Sequence, residues 1–170
     1  MVIYGLTGKE LSKDINVSLQ EAVKFIRDWY KAFPQAKRFI DMKRNEPLKG
    51  IDCVTPFGRL RSFIINDKNL YHIQNEAINT PVQSIASDLT LFALLDIQDA
   101  IKSYGASVIV TVHDSIILEV KDDENLPIII STSKSIMENT PRKYWKDVNL
   151  IPFVADVETG DLWGELKTYG

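Results

Sequence analysis

The sequence is short of the residues that several classes of protein require. Among its 170 residues there is one cysteine, Cys53, which excludes an internal disulfide framework and a metal site built from several cysteines. With 8 glycines and 7 prolines, collagen-like and low-complexity structures are also excluded. No apolar run approaches the roughly 18 residues of a membrane span, and residues 1–15 lack the pattern of a signal peptide. We therefore expect a cytoplasmic globular chain with its own core and no membrane partner.

Charge is divided unevenly along the chain. The net charge is −3, which argues against a general polyanion-binding protein. Residues 1–70 hold 13 Lys+Arg and 8 Asp+Glu, whereas residues 71–170 hold 7 and 15, so the first part is basic and the second acidic. One interpretation is a protein that meets phosphates on one side and keeps carboxylates elsewhere. The alternative is a solvated, lysine-rich helix surface.

Helix signals dominate the first third of the sequence. Residues 7–10 and 18–21 have the Ser/Thr-x-x-Glu spacing of a capping box, so each predicts a helix start. From position 22 apolar residues recur every three or four positions as far as Phe33. Pro34 ends or restarts this helix, and a basic helix is expected to follow as far as Pro47.

The middle of the chain changes character. Short strands are predicted at 53–55 and 59–63, on either side of a turn at 56–58. A long apolar stripe then predicts a helix from Asn79 to Tyr104, closed by Gly105 as a left-handed cap.

The last third contains two β-rich runs, 107–112 and 115–120, around the polar pair His113-Asp114. This arrangement predicts an antiparallel hairpin. Further along, the pattern predicts a helix over 127–139 and a half-buried strand over 152–158.

The pair His113-Asp114 is the strongest candidate for chemistry. Gly and Asn, the usual residues of such a turn, are absent. A carboxylate held at the end of two stiff strands is suited to a metal ligand, and two-metal phosphoryl transfer needs such oxygen ligands. One aspartate cannot complete that site, and a solvated turn is the alternative.

Five segments occur together in the order and at the spacing of one known family. They are Tyr4-Gly5, Phe33-Pro34, the Thr-x-Phe-Gly-Arg-x-Arg segment 55–61, the Asn-x-Pro-x-Gln-x-x-Ala-x-Asp-Leu segment 79–89 and Val112-His113-Asp114. Together they resemble motifs of the DNA polymerase I family (family A), across essentially the whole chain. The last segment resembles that family's third palm motif.

The resemblance implies an α+β fold in which a helical fingers segment accompanies an antiparallel palm hairpin packed on a long helix. Residues 1–70 would be fingers-derived helices with a basic DNA-contacting segment. Residues 71–170 would be the palm portion, with the long helix, the His-Asp hairpin and a C-terminal strand.

The resemblance also implies template-directed, Mg²⁺-dependent deoxynucleotidyl transfer from a dNTP to a primer 3′-hydroxyl. Asp114 would be the catalytic carboxylate and a ligand of the two-metal site. Contacts to primer-template DNA or the nascent base pair are implied for Tyr4, Arg59, Arg61, Asn79, Gln83 and His113.

The sequence departs from the family pattern at single residues and in whole motifs, and the missing motifs are expected to come from another polypeptide or portion. Ser115 follows the aspartate where most members carry Glu, and Asn75 stands where many carry Arg. The first palm motif, Asp-Tyr-Ser-x-x-Glu, and the residues that grip the triphosphate have no match. We therefore expect a phage-type or split-subunit polymerase portion, inactive alone, that needs an N-terminal portion or partner subunit. Its surfaces towards the missing palm strands should be apolar and exposed.

Two alternatives stay open at the level of sequence. One is a non-catalytic nucleic-acid-binding remnant of a polymerase. The other is a piece of a single-subunit RNA polymerase, which the His-Asp-Ser variant alone suggests.

Overall fold

The computed structural model of the chain describes residues 6–66, 68–145, 148 and 151–169. The fold has two compact units, residues 1–85 and 86–170, which divide within one long helix.

The first unit opens with three helices. These are α1 (Gly8–Asp14), α2 (Leu19–Ala32) and α3 (Pro34–Asn45), followed by a 3₁₀ turn at Pro47–Lys49. Both predicted capping boxes are present, because the Thr7 and Ser18 hydroxyls accept the backbone N–H groups of Glu10 and Glu21 at 3.3 and 3.2 Å. Each glutamate in turn accepts the backbone N–H of its cap. Local sequence therefore fixes where α1 and α2 begin.

A small hairpin follows, with strands β1 (Cys53–Val54) and β2 (Leu60–Arg61). Its turn is closed by the Gly58 N–H, which donates to the Thr55 carbonyl at 2.9 Å, while Gly58 itself has a φ of 82°. A turn followed by a glycine of positive φ is a common three-residue hairpin loop. The hairpin confirms the predicted turn, although both paired segments are shorter than predicted.

The long helix α4 (Leu70–Ile101) begins nine positions before the predicted start at Asn79. An asparagine two residues before Pro81 resembles a helix start, but Pro81 lies inside the helix. Buried Ile73, Ala77 and Ile78 continue the apolar spacing backwards. Their burial outweighs the hydrogen bond that Pro81 cannot donate.

The second unit is built from the end of α4, a hairpin and one further helix. A 3₁₀ turn at Lys102–Tyr104 and a left-handed Gly105 (φ 69°) lead into the hairpin, as predicted. The hairpin consists of β3 (Ser107–Val112) and β4 (Ser115–Glu119), and the helix is α5 (Leu126–Tyr144).

The core of this unit joins these three elements. Ile97 and Ile101 of α4 and Ile129 of α5 are fully buried. One face of the hairpin, including Val108 and Ile116, packs against them. An α+β fold with an antiparallel hairpin on a long helix is thus confirmed.

The hairpin also carries exposed apolar side chains. The register shifts between Val108 and Val110, so Ile109 is a bulge. Ile109 and Val110 are 56% and 40% exposed.

The C-terminal elements differ from those predicted. Helix α5 continues past Asn139 to Tyr144, with Pro141 inside its last turn. The predicted strand over 152–158 is wrong: strand β5 is Glu158–Thr159 and pairs with β6 (Lys167–Thr168). Upstream, the Ala155 N–H donates to the Glu138 carboxylate at 3.2 Å, so a side chain takes the place of a neighbouring strand.

A 3₁₀ turn at Trp163–Glu165 joins β5 to β6. Among the described residues, no helix is long and apolar enough to cross a membrane.

Candidate functional site

The tip of the β3–β4 hairpin is a two-residue loop. Val112 and Ser115 are paired across the strands, which leaves His113 and Asp114 as the whole loop. His113 has a φ of 57°, whereas Asp114 has no positive φ. Histidine adopts positive φ more often than most residues, yet the conformation still costs roughly 1–2 kcal/mol. The fold therefore holds this loop in a shape that the sequence does not favour locally.

Asp114 is exposed at this tip. Its carboxylate forms no hydrogen bond or ion pair with any other residue that the structure describes. Two paired strands support its backbone, so the side chain is presented outward from a stiff base. Within the described ranges no group of three or more His, Cys, Asp or Glu side chains is placed to hold a metal ion. Asp114 can accordingly offer one oxygen-donor residue to a site completed elsewhere.

Asn79 and Gln83 lie four positions apart on α4, and hence on one face of that helix. The Gln83 side chain is exposed and makes no hydrogen bond with another described residue. The Asn79 Oδ1 atom is buried without a hydrogen-bond partner in the same part of the chain. Gln83 is thus the better placed of the two to meet a ligand from solvent.

The two predicted arginines differ in their surroundings. Arg59 closes the first hairpin, because its carbonyl accepts the Thr55 N–H at 3.0 Å and its N–H donates to the Thr55 hydroxyl at 3.1 Å. Arg61 reaches from β2 to α4, where Nη1 donates to Thr80 Oγ1 at 3.1 Å and Nη2 donates to Glu76 Oε1. Glu76 is thus a partner of a predicted DNA-contacting residue.

Sequence reasoning missed Glu76 and Thr80 as partners of Arg61. Glu76 lies before the predicted start of α4 and so belonged to no predicted element. The apolar spacing of Leu70, Ile73 and Ala77 was the signal that could have extended the helix and exposed the pairing.

Of the remaining predicted site residues, Tyr4 lies outside the described residues. Arg59, Arg61, Asn79 and Gln83 belong to the first unit, whereas His113 and Asp114 belong to the second. The structure brings Arg61 onto the α4 segment that carries Asn79, and it makes His113 and Asp114 neighbours in one loop.

The single cysteine, Cys53, is poorly suited to act as a nucleophile. Cys53 is buried at the start of β1. Burial raises the pKa of its thiol, which lowers the fraction of reactive thiolate.

The family model for DNA polymerase family A matches residues 1–165 of the 170 in the chain. The chain belongs to DNA polymerase family A. The motifs at 55–61, 79–89 and 112–114 all lie inside the matched range.

Curated relatives of the chain come from diverse organisms. The chain is 25% identical over 169 residues to DNA polymerase theta of Caenorhabditis elegans. It is 29% identical over 170 residues to DNA polymerase I of Helicobacter pylori strain 26695, and 30% identical over 179 residues to the DNA polymerase of Bacillus phage SP01. These alignments cover 98%, 98% and 96% of this chain but 10%, 18% and 19% of the relatives. The chain thus spans less than a fifth of their length.

A solved structure shares the fold. It is the POL domain of Pol1 from M. smegmatis in complex with DNA primer-template and dNTP, with a TM-score of 0.73 and 21% sequence identity. The match covers 82% of this chain and 25% of that one. The likeness therefore shows a shared fold over most of the chain.

Proposed function

We propose that the chain supplies part of a template-directed DNA polymerase, which transfers a deoxynucleotide from a dNTP to a primer 3′-hydroxyl with Mg²⁺. Family membership over residues 1–165 supports this function. The observation that carries it is Asp114, an exposed carboxylate at the tip of the β3–β4 hairpin and within the third palm motif. We assign residues 1–70 to the fingers and residues 71–170 to the palm. Bacterial and phage relatives favour the bacterial or phage-infected cytoplasm as the place of action.

The Asp114 carboxylate fits a magnesium ligand, because Mg²⁺ prefers hard oxygen donors and no Lys or Arg in the described part of the chain pairs with it. When bound, two such ions would lower the pKa of the primer hydroxyl and offset the charge of the triphosphate. Ser115, in place of the usual Glu, makes Asp114 the one loop carboxylate. The remaining ligands are assigned to an N-terminal portion or partner subunit with the first palm motif, so the chain alone is expected to be inactive.

The nucleic-acid contacts that we propose are those that the family resemblance implies. Gln83 and Asn79 carry amides that can meet the acceptors found at similar minor-groove positions in every base pair. His113 would lie against the primer end, and Tyr4 near the templating base. Arg59 and Arg61 would contact the duplex backbone, whose phosphates attract guanidinium groups without regard to sequence.

Primer extension tests the proposal. The full chain is mixed with a separately purified polypeptide that carries the first palm motif and the triphosphate-binding helix, and extension of a primed template is followed with Mg²⁺. Asp114→Ala is expected to abolish extension and leave duplex binding almost unchanged. Asp122→Ala is the matched control, because Asp122 is an exposed aspartate in the turn after β4. Equal activity of the two variants would remove Asp114 from the catalytic site.

A binding measurement separates the enzyme from a non-catalytic remnant. Mn²⁺ in place of Mg²⁺ should broaden the amide resonances of residues 113–115 in the native mixture. In the Asp114→Ala variant, which lacks one ligand, the same broadening should need a higher Mn²⁺ concentration. Duplex binding without extension and without this broadening would favour the remnant.

A further inference from the structure

Arg61 is engaged by a single acidic residue of α4. Its Nη2 donates to Glu76 Oε1, its Nη1 donates to Thr80 Oγ1 at 3.1 Å, and the guanidinium lies 5.8 Å from the centre of the Phe63 ring. Glu76 is the sole acid between Asn69 and Ser87 in the sequence. The first turns of the helix therefore carry one negative charge, and Arg61 neutralises it.

This contact lies on the surface assigned to the duplex. Glu76, Thr80 and Gln83 stand at positions i, i+4 and i+7 of α4, so they share one helix face. Arg61 is held at Thr80 on that face, and Thr80 precedes Gln83 by three residues, about one helical turn. A duplex whose minor groove reaches Gln83 would bring its phosphates near the Arg61–Glu76 pair.

The pair is accessible to such an exchange. The Arg61 and Glu76 side chains are 44% and 25% exposed, and ion pairs at this exposure contribute little to stability. A phosphate accepts the guanidinium fork as well as a carboxylate does. If Arg61 leaves, Glu76 keeps a neighbour, because His72 Nε2 lies 3.4 Å from the same Oε1 atom.

We propose that Glu76 competes with the duplex backbone for Arg61, so that DNA binding exchanges a carboxylate for a phosphate at this guanidinium. This inference rests on the proposed function, since it concerns how the duplex is held. It makes Glu76 a residue that limits the affinity of the chain for DNA. Thr80 is the buried anchor that keeps Arg61 near the helix in both states.

A double-mutant cycle on duplex affinity tests the exchange. The full chain, Glu76→Gln, Arg61→Gln and the double variant are titrated with a primed duplex over a series of KCl concentrations. Arg61→Gln weakens duplex binding by some factor in each background. Because Glu76→Gln removes a partly exposed competitor for Arg61, that factor should be up to about fivefold larger in the Glu76→Gln background than in the native one. In that background, Arg61→Gln should also reduce the salt slope by about 0.9, the value for one phosphate contact.

A matched variant controls for charge. Asp28→Asn removes one carboxylate from an exposed ion pair with Lys24 in the same unit, and it should leave the effect of Arg61→Gln unchanged. An equal or smaller loss from Arg61→Gln in the Glu76→Gln background would overturn the exchange and make the pair a structural clamp. Absence of duplex binding by every variant and by the native chain would instead overturn the proposed function itself.

Discussion

The ammonium group of Lys143 donates to both carboxylate oxygens of Asp96, at 2.9 and 2.8 Å, and thereby joins α5 to α4. The Tyr144 hydroxyl donates to the same carboxylate at 2.9 Å, and its ring stacks on Phe92 with centroids 4.5 Å apart. The two helices that contribute to the core of the second unit are thus tied together at the end of α5.

Because of this contact, the free energy of unfolding should fall as the pH becomes alkaline. The hydrogen bond to Asp96, followed by the one to Tyr144, raises the pKa of Lys143 above its usual 10.5. The stabilisation is fully present below that value and is lost as pH rises through the raised pKa. Asp96→Asn should therefore lower the free energy of unfolding at neutral pH, with a difference from the native chain that shrinks in alkali. Urea unfolding over a pH series measures it.

The control is the neighbouring helix pair of Lys134 and Glu138, whose closest charged atoms are 3.9 Å apart. Lys134→Met leaves the Asp96 contact intact, so its loss of stability in alkali should match that of the native chain. A difference for Asp96→Asn that grows with pH would contradict the assignment.

The Ser18 cap should be measurable through both stability and acid titration. Ser18→Ala is expected to lower the free energy of unfolding by about 1 kcal/mol, the usual effect of removing a capping side chain. Ser12→Ala is the control, because it removes only a bond to the Lys9 carbonyl.

The Ser18 hydroxyl and then its N–H hold the pKa of Glu21 below the usual 4.5. The stabilisation from Glu21 is therefore present above that value and is lost as pH falls through the lowered pKa. Chemical denaturation of both variants at neutral and acidic pH measures it.

Two adjacent isoleucines of α5 provide a matched test of the second core. Ile129 is 1% exposed and Ile128 is 45% exposed. Ile129→Ala should destabilise the chain by about 2–5 kcal/mol because it leaves a cavity, while Ile128→Ala should cost well under half as much. Similar losses in calorimetry or urea unfolding would show that α5 does not present Ile129 to the core.

Substitution of Gly105 should destabilise the chain, although no neighbouring atom would clash with an added side chain. An added Cβ would meet no atom within 4 Å, but the φ of 69° is unfavourable for other residues. Gly105→Ala is expected to cost about 1–2 kcal/mol, and Gly164→Ala, equally open and without positive φ, should be near neutral. Thermal unfolding of the two variants would contradict this if their midpoints matched.

Gln83 should matter for DNA but not for folding. Gln83→Ala is expected to weaken binding of a primed duplex about two- to tenfold, the range for one lost hydrogen bond, with an unchanged salt slope. Gln35→Ala, at an exposed position of α3, is the control. Fluorescence anisotropy measures both, and equal affinities would remove Gln83 from the interface.

The features predicted correctly depend on short stretches of chain. Capping at Ser18 and the left-handed Gly105 are decided within four residues, and the His113-Asp114 hairpin by two adjacent β-rich runs. The start of α4 was mispredicted because burial of Ile73 and Ala77 outweighs the local signal of Asn79 and Pro81. The predicted strand over 152–158 is wrong because a strand requires a partner strand, whose position the sequence alone does not determine.

The same distinction applies to the candidate site. Asp114 and Gln83 could be chosen from sequence because their motifs are contiguous. The pairing of Arg61 with Glu76 could not, because it joins residues on two elements whose approach is set by packing. Whether a basic side chain in a motif is available to a ligand therefore depends on the side chains that surround it, and the motif alone does not show this.

The β3–β4 hairpin has a consequence for backbone dynamics. In an antiparallel pair every second amide of each strand points away from its partner, and within the described residues no third strand pairs with either edge. Most outward-pointing amides of β3 and β4 should therefore exchange with deuterium quickly, whereas those between the strands are protected by their interstrand hydrogen bonds. The Val108 amide is the exception, because it donates to Gln98 Oε1 at 3.1 Å. The protection pattern would alternate along β4 and along β3 after the bulge at Ile109, and an added neighbouring strand would slow exchange along one edge.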